Sequence, residues 1–255
     1  FRRIAPDERI CIGPLFGEPR RGWNAIYEEH DMATVSAPRG KGKKSTGSGK
    51  RHPLAGKKMS GADMIMEVLA QQGVDVIFGY SGGAILPTYD AVFKYNKHRE
   101  ESDKIRLIVP ANEQGASFMA AGYSRASGKV GVALVTFGAG GLNMVNAIAQ
   151  AYAERSPVLV VSGAPEIKGR DLDALLHHRV KTFDSQLNVF REVTVEALAL
   201  HDPSTAMATI DRLLATILER KRPGYLEVPR DMVEMAGRPS GGRVRARQPG
   251  RAAVE

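Results

Sequence analysis

Cysteine is almost absent from this sequence, and its scarcity limits the chemistry open to the protein. Cys11 is the only cysteine among 255 residues, so a disulfide framework and a cysteine-based metal site are both excluded. The six histidines show no HExxH or comparable ligand spacing. We therefore predict no metal ligands in the chain, although magnesium held by oxygen ligands leaves no such signature.

Long apolar runs are also missing. No run approaches the roughly 20 residues that span a bilayer, and no signal peptide with a charged start and an apolar centre is visible. Hydrophobic residues make up 43% of the chain and charged residues 25%, as in ordinary globular proteins. These features predict a cytoplasmic protein with no membrane partner.

The net charge of +8 is concentrated at the two ends of the chain. Residues 1–58 carry 13 Lys/Arg against 6 Asp/Glu, a net +7, and residues 237–255 carry five Arg against one Glu, a net +4. The remaining segment, 59–236, therefore has a net charge of −3. A protein that reads a nucleic-acid groove carries its positive charge on the folded face, so this distribution argues against a nucleic-acid partner.

The two flanks have compositions that do not predict a folded domain. Residues 37–58 are rich in Gly, Lys, Ser and Pro, which cannot bury enough apolar surface to fold. We predict that residues 1–58 form a disordered basic leader, of which 1–31 are not native protein. A basic organelle-targeting leader is the alternative. Residues 237–255 are predicted to be an interdomain linker or an aberrant tail.

Between the flanks, helical and strand patterns alternate, which predicts an α/β fold. Continuous apolar strands that alternate with helices indicate a doubly wound parallel sheet of about six strands, with helices on both faces. The strands are predicted at 76–78, 105–109, 130–135, 157–161, 192–196 and 225–228. Because such sheets bind ligands at the carboxyl ends of their strands, the site is expected in residues 79–84, 110–113, 136–143 and 162–178.

Each of these segments holds residues that packing alone does not require, but none decides a function by itself. The turn at 79–83 is rich in glycine yet is not GxGxxG, and no acidic residue follows where a dinucleotide ribose would need one. Glu113 begins a predicted helix, where a carboxylate is common because the helix dipole stabilises it. A second glycine-rich turn spans 136–143, and His177 and His178 are adjacent in a polar loop.

Taken together, the motifs resemble thiamine-diphosphate enzymes that act on 2-oxo acids. Residues 59–136 look like the opening of acetolactate synthase large subunits, in the runs FGYSGGAILPTYD (78–90) and NEQGASFMAAGYSRASGK (112–129). Residues 136–236 are more similar to phenylpyruvate and indolepyruvate decarboxylases, in TFGAGGLN (136–143), AYAERSP (151–157), LLHH (175–178), FDSQ (183–186) and FREVT (190–194). The resemblance implies that 59–236 is a pyrimidine-binding domain for thiamine diphosphate.

The resemblance also implies roles for individual residues. Glu113 corresponds to the carboxylate that hydrogen-bonds the aminopyrimidine and activates the cofactor, and it works best when partly buried. His177 and His178 correspond to a catalytic pair. The other implied site residues are the cofactor-binding Tyr80, Gly82, Gly83, Gly138 and Asn143, and the substrate-side Phe137 and Gln186.

The two halves of the resemblance imply different outcomes after decarboxylation. Simple decarboxylases carry an acidic residue where this chain has Gly83, whereas synthases do not, so this position favours carboligation. The His177-His178 pair matches decarboxylases, and the synthase segment Asp-Ala-Phe-Gln-Glu is not found. The longer continuous match favours an acetolactate synthase-like enzyme, with a simple 2-oxo acid decarboxylase as the alternative.

Family enzymes bind the diphosphate and Mg²⁺ through a separate domain with a Gly-Asp-Gly motif, which this chain lacks. We therefore expect the isolated chain to be inactive, and to be either a fragment or a subunit that pairs with a diphosphate-binding domain or forms a homo-oligomer. An interaction subunit without chemistry remains an alternative that Glu113 disfavours. A Rossmann-like nucleotide binder is the other alternative, and the missing phosphate-binding fingerprint disfavours it.

Overall fold

The computed structural model describes residues 57–169 and 178–237. Most of the predicted leader and tail, and His177, lie outside the described residues. Within the described part, no helix is both long and apolar enough to cross a membrane.

Eight strands occur in the described residues. They are β1 (Met59–Ser60), β2 (Val76–Tyr80), β3 (Arg106–Ile108), β4 (Gly131–Val135), β5 (Val158–Ala164), β6 (Ala197–Ala199), β7 (Gly224–Pro229) and β8 (Ala236–Gly237).

Eight α-helices connect or follow these strands in the described residues. They are α1 (Gly61–Gln71), α2 (Leu86–Asn96), α3 (Glu113–Ser127), α4 (Ala139–Leu142), α5 (Val145–Ala153), α6 (Ser185–Val193), α7 (Ala206–Arg220) and α8 (Arg230–Glu234).

Six of the strands form one parallel sheet in the order β3-β2-β4-β5-β7-β6, which confirms the predicted fold class. Every residue of β4, β5 and β7 is buried, because helices cover the sheet on both sides. One apolar cluster joins the sheet to α1, α2, α7 and α8, and a second joins it to α3, α5 and α6. β1 and β8 pair antiparallel in a separate two-stranded ribbon.

The strand order reverses at β2, and this reversal sets where a ligand can bind. From β2 the chain runs to β3 on one side, and it then crosses back to β4 on the other side. The connections after β2 and β4 therefore leave in opposite directions and open a crevice between the carboxyl ends of these strands. The glycine-rich turns after Tyr80 and Val135 lie at this crevice.

The helix that carries Glu113 has clear signals at both ends. Asn112 caps it, because its side-chain oxygen accepts a hydrogen bond from the Gly115 amide at 2.8 Å. Gly128 ends it with a left-handed φ of 69°, a conformation that glycine adopts without strain. Apart from Glu113, the buried residues of α3 are alanines and serines, so the helix lies close to β2 and β4.

The predicted strand at 192–196 is wrong. Glu192 and Val193 instead end α6, and the strand at this edge of the sheet is β6, Ala197–Ala199. The β-branched run 193–195 suggested a strand, but Leu187 and Phe190 form a buried helical stripe just before it. Phe190 stacks on Tyr225 of β7 with ring centroids 4.2 Å apart, which fixes α6 on the sheet.

Two glycines provide a matched test of the close packing between α3 and β4. A Cβ atom added to Gly131 would lie 2.0 Å from the Ala120 carbonyl oxygen, whereas one added to Gly122 would meet nothing within 4 Å. Gly131→Ala should therefore lower the free energy of unfolding by about 2 kcal/mol, as overpacking does. Gly122→Ala should raise it by about 0.5–1 kcal/mol, because alanine favours the helix. Urea unfolding measures the change in the free energy of unfolding for each variant. Equal changes in the two variants would contradict the close packing of α3 on β4 at Gly131.

Candidate cofactor and substrate site

A cavity of about 780 Å³ opens at the carboxyl edge of the sheet. The turns after β2, β4 and β5 supply most of its wall, together with the first residues of α3 and α8. Its lining residues are Ser81, Gly82, Gly83, Ala84, Glu113, Thr136, Phe137, Ala139, Gly140, Ala164, Pro165, Glu166, Gly169, His178 and Arg230. All four segments that were predicted to hold the site contribute to it.

Glu113 is the buried carboxylate of this cavity. It is the first residue of α3 and is 9% exposed, and its side chain accepts a hydrogen bond from the Asn143 side-chain amide at 3.3 Å. The Ser117 hydroxyl donates to the Glu113 carbonyl oxygen at 3.1 Å, which secures the first turn of the helix. The carboxylate is therefore held at the cavity wall by groups of this chain.

Tyr89 lies behind Glu113, and sequence reasoning missed it. Burial and the neighbouring Glu113 carboxylate both raise the pKa of the Tyr89 phenol well above its usual range. Tyr89 therefore stays protonated at neutral pH, and it donates to the Leu134 carbonyl oxygen at 2.7 Å. It also fills the space beside Gly79, where a Cβ atom would lie 2.3 Å from the phenol oxygen.

The glycine turns bring the backbone close to Glu113 and to each other. A Cβ atom on Gly140 would lie 2.4 Å from Glu113 Oε1, and one on Gly82 would lie 2.3 Å from Thr136 Oγ1. Side chains at these positions would therefore displace the carboxylate or separate the two turns. The glycines therefore let the two turns pack closely on each other and on the carboxylate.

A chain of buried side chains holds the second glycine turn in place. The Gly138 amide donates to Gln186 Oε1 at 2.8 Å, and Gln186 Nε2 donates to Ser162 Oγ and to the Tyr225 hydroxyl, both at 2.7 Å. The Tyr225 hydroxyl in turn donates to Glu227 Oε2 at 3.0 Å. Burial and the Glu227 carboxylate raise the pKa of Tyr225 well above its usual range, so the phenol remains a donor.

The structure brings most of the predicted site residues together. Glu113, Gly82, Gly83, Phe137 and His178 line the cavity. The others predicted to bind the cofactor or the substrate are placed around it: Tyr80 is exposed at the end of β2, Asn143 contacts Glu113, Gly138 forms the turn, and Gln186 lies behind that turn at 1% exposure. Their chemical roles stay predictions.

Arg230 and Glu166 also line the cavity. Glu166 lies in the predicted segment 162–178 but was not named as a site residue, and Arg230 lies outside all four predicted segments. They follow the last two long strands of the sheet, β5 and β7. The rule that ligands bind at the carboxyl ends of parallel strands could have identified them, because Arg230 comes directly after the final strand.

No metal-binding cluster occurs in the described residues. Nowhere in 57–169 or 178–237 do three or more His, Cys, Asp or Glu side chains converge as metal ligands would.

Removing a single hydroxyl tests the buried chain behind Gly138. Tyr225→Phe keeps the ring that stacks on Phe190, but it removes the donor to Glu227 and an acceptor for Gln186. We expect the free energy of unfolding to fall by about 1–3 kcal/mol, because buried polar groups lose their partners. The control is Tyr152→Phe, which should change it by less than about 0.5 kcal/mol because the Tyr152 hydroxyl has no protein partner in the described residues. Chemical denaturation measures both, and similar losses would contradict a structural role for the chain.

Comparison with known proteins agrees with this geometry. Residues 59–189 match the family model described as "Thiamine pyrophosphate enzyme, N-terminal TPP binding domain". The chain is 41% identical over 180 residues to indole-3-pyruvate decarboxylase of Azospirillum brasilense, an alignment that covers 71% of this chain and 32% of that protein.

Two further relatives are similar to parts of the chain. The chain is 47% identical over 105 residues to the mitochondrial acetolactate synthase catalytic subunit of Saccharomyces cerevisiae, covering 41% of this chain and 14% of that protein. It is 36% identical over 182 residues to pyruvate decarboxylase of Aspergillus parasiticus, covering 71% of this chain and 30% of that protein. The chain thus spans about a third or less of the length of these relatives. With a carboxylate and two glycine turns at the switch point of its sheet, this chain belongs to the thiamine pyrophosphate enzymes, through their N-terminal TPP-binding domain.

Proposed function

We propose that this chain supplies the pyrimidine-binding part of an enzyme that uses thiamine diphosphate to decarboxylate a 2-oxo acid. The observation that carries the proposal is the buried Glu113 carboxylate, which faces a cavity walled by two glycine turns. The names of the relatives, which are 2-oxo acid decarboxylases and acetolactate synthases, support the same substrate class.

The residues at the cavity fit the aminopyrimidine half of the cofactor. A heterocycle needs open space and a carboxyl group at its edge. Gly83, where a Cβ atom would meet nothing within 4 Å, leaves such space, and Glu113 provides the carboxyl group. When bound, thiamine diphosphate supplies an electron-accepting ring for loss of carbon dioxide. Glu113 would hold and release a proton at the ring nitrogen, while the buried Phe137 keeps water from this part of the cavity.

Magnesium and the diphosphate need partners from elsewhere in the enzyme. The described residues hold no metal cluster, and the relatives are about three times as long as the matched region. We propose that a diphosphate-binding domain or subunit, within a homo-oligomer, covers the exposed apolar side chains near Glu113. These side chains are Phe118 and Met119 of α3, and Ile108 and Val109 at the end of the edge strand β3.

Carboligation is the first candidate for the step after decarboxylation. In simple decarboxylases of this type the first glycine turn carries an acid, whereas Gly83 lines the cavity here without one. A site that slowly protonates the carbon from which carbon dioxide has left gives that carbon time to add to a second 2-oxo acid, as in acetolactate synthases.

Simple decarboxylation is the second candidate, and His178 favours it. His178 lines the cavity, where its ring could exchange a proton with a bound substrate. Gly83 and His178 therefore point to different products.

Replacing Glu113 tests the central proposal. Glu113→Gln keeps an oxygen that can accept from Asn143, so the fold should be retained, but the carboxyl proton is lost. With a diphosphate-binding domain from a relative, cofactor-dependent release of carbon dioxide from pyruvate or phenylpyruvate should fall about 100-fold or more. Glu234→Gln removes an exposed carboxylate and serves as the control. Full activity in Glu113→Gln would refute the assignment.

Restoring an acid at position 83 tests which product is formed. A Cβ atom on Gly83 meets nothing within 4 Å, so Gly83→Glu should fold normally. If the missing acid is what permits carboligation, this variant should release about tenfold more aldehyde relative to the ligated product. Gly83→Gln has the same size but cannot donate a carboxyl proton, so its product ratio should match that of the unmodified chain. Chromatography measures the ratio of aldehyde to ligated product. Equal ratios in Gly83→Glu and Gly83→Gln would contradict the proposal that the missing acid permits carboligation.

A further inference from the structure

Arg230 occupies a defined place in the cavity wall. It follows Pro229, the last residue of β7, whose register partner in the sheet is Ala164 at the end of β5. Ala164, Glu166 and Arg230 all line the cavity. The pairing of the two strands therefore sets Arg230 beside the segment that follows β5.

A second contact fixes the backbone on which Arg230 sits. The two carboxylate oxygens of Asp231 accept from the Ile167 amide at 3.2 and 3.1 Å. Met232 and Val233, the next residues of α8, are each only 1% exposed. The start of α8 is thus anchored from both sides, and its position does not depend on the Arg230 side chain.

The charge of Arg230 has no partner in the part of the chain that the structure describes. Within the described residues, its exposed guanidinium makes neither a hydrogen bond nor an ion pair. Other arginines of the domain are engaged: Arg125 pairs with Glu154, Arg212 with Glu196, and Arg222 donates to the Tyr152 carbonyl oxygen. Asp231, which is adjacent in sequence, is occupied by the Ile167 amide.

The cavity lining contains acidic side chains, so an anionic substrate can bind there only if a positively charged group is also present. Among the described residues, Glu113 and Glu166 are the acids of the lining, and Arg230 and His178 are its basic groups. A carboxylate entering beside two acids is repelled unless a positive charge compensates. Arg230 is the lining residue in this part of the chain that carries a permanent positive charge, and its planar fork matches a carboxylate.

From this arrangement we infer that Arg230 is a specificity-determining residue that binds the carboxylate of the 2-oxo acid. The inference rests on the proposed function and adds a residue for substrate capture. Because negative charge leaves the carboxylate during decarboxylation, a cation bound to it stabilises the substrate more than the transition state. Loss of Arg230 should therefore raise KM and should not lower kcat.

Direct binding to the 255-residue chain tests the inference without turnover. Pyruvate and phenylpyruvate are titrated by ligand-observed NMR, with their methyl esters as uncharged analogues and inorganic pyrophosphate as a competing type of anion. Arg230→Gln should weaken binding of both acids about tenfold or more and leave ester binding unchanged. Arg230→Lys should recover part of the affinity, because it keeps the charge but not the fork. Lys168→Gln removes an exposed cation that is two residues from Glu166 and does not line the cavity, so it is the matched control.

Three results would overturn the inference: no saturable binding of either acid to the unmodified chain, unchanged affinity in Arg230→Gln, or an effect of this variant on pyrophosphate alone. In the last case the guanidinium serves a phosphate instead. In the assembled enzyme, Arg230→Gln should raise KM about tenfold while kcat is unchanged or raised, and a fall in kcat with KM unchanged would also contradict the inference. Glu113→Gln tests the proposed function separately, since it should abolish turnover while leaving carboxylate binding at Arg230 intact.

Discussion

The hydrogen bond from the Gly138 amide to Gln186 connects the cavity to the interior of the domain. Gly138 has a φ of 82°, and a Cβ atom there would lie 2.2 Å from the His178 carbonyl oxygen, so the turn passes closely beneath the segment that contains His178. Gln186 is held by Ser162 and Tyr225, which belong to the central strands β5 and β7. The position of the turn therefore depends on the sheet itself and not on the loop alone.

The same turn determines the surroundings of Glu113. Gly140 lies against the carboxylate, and Asn143, one residue beyond α4, donates to it. Tyr89 belongs to α2, which precedes Glu113 in the chain. Its phenol remains protonated because burial and the Glu113 carboxylate both raise its pKa. Two segments distant in sequence from Glu113 thus lie beside its carboxylate, which is how a parallel sheet gathers functional groups at its switch point.

Much of the fold could be predicted from the sequence because it depends on local patterns. Buried strands such as β4 and β5 are continuous apolar runs, and Asn112 and Gly128 mark both ends of α3. The error at 192–196 arose where β-branched residues ended a helix, since strand propensity there is overridden by the packing of Phe190 on Tyr225.

The site was less predictable where its contacts join distant residues. The glycine turns and Glu113 could be found from their spacing after strands. Gln186, in contrast, bonds to a residue 48 positions earlier, and nothing in its local sequence indicates that it lies behind the turn. Arg230 directly follows the last predicted strand, but the segment after that strand was not among those expected to hold the site, and only the structure places it in the cavity wall.

The two-stranded ribbon at the base of α1 has a consequence for how this domain relates to its neighbours. Met59 pairs with Gly237 and Ser60 with Ala236, so the first and last strands of the described domain lie side by side. A unit whose entry and exit points coincide can be inserted into a longer polypeptide, or exchanged between polypeptides, without stretching either connection. Because the ribbon holds the two ends of the described domain together, the domain and its cavity can keep the same structure in polypeptides with different domain orders.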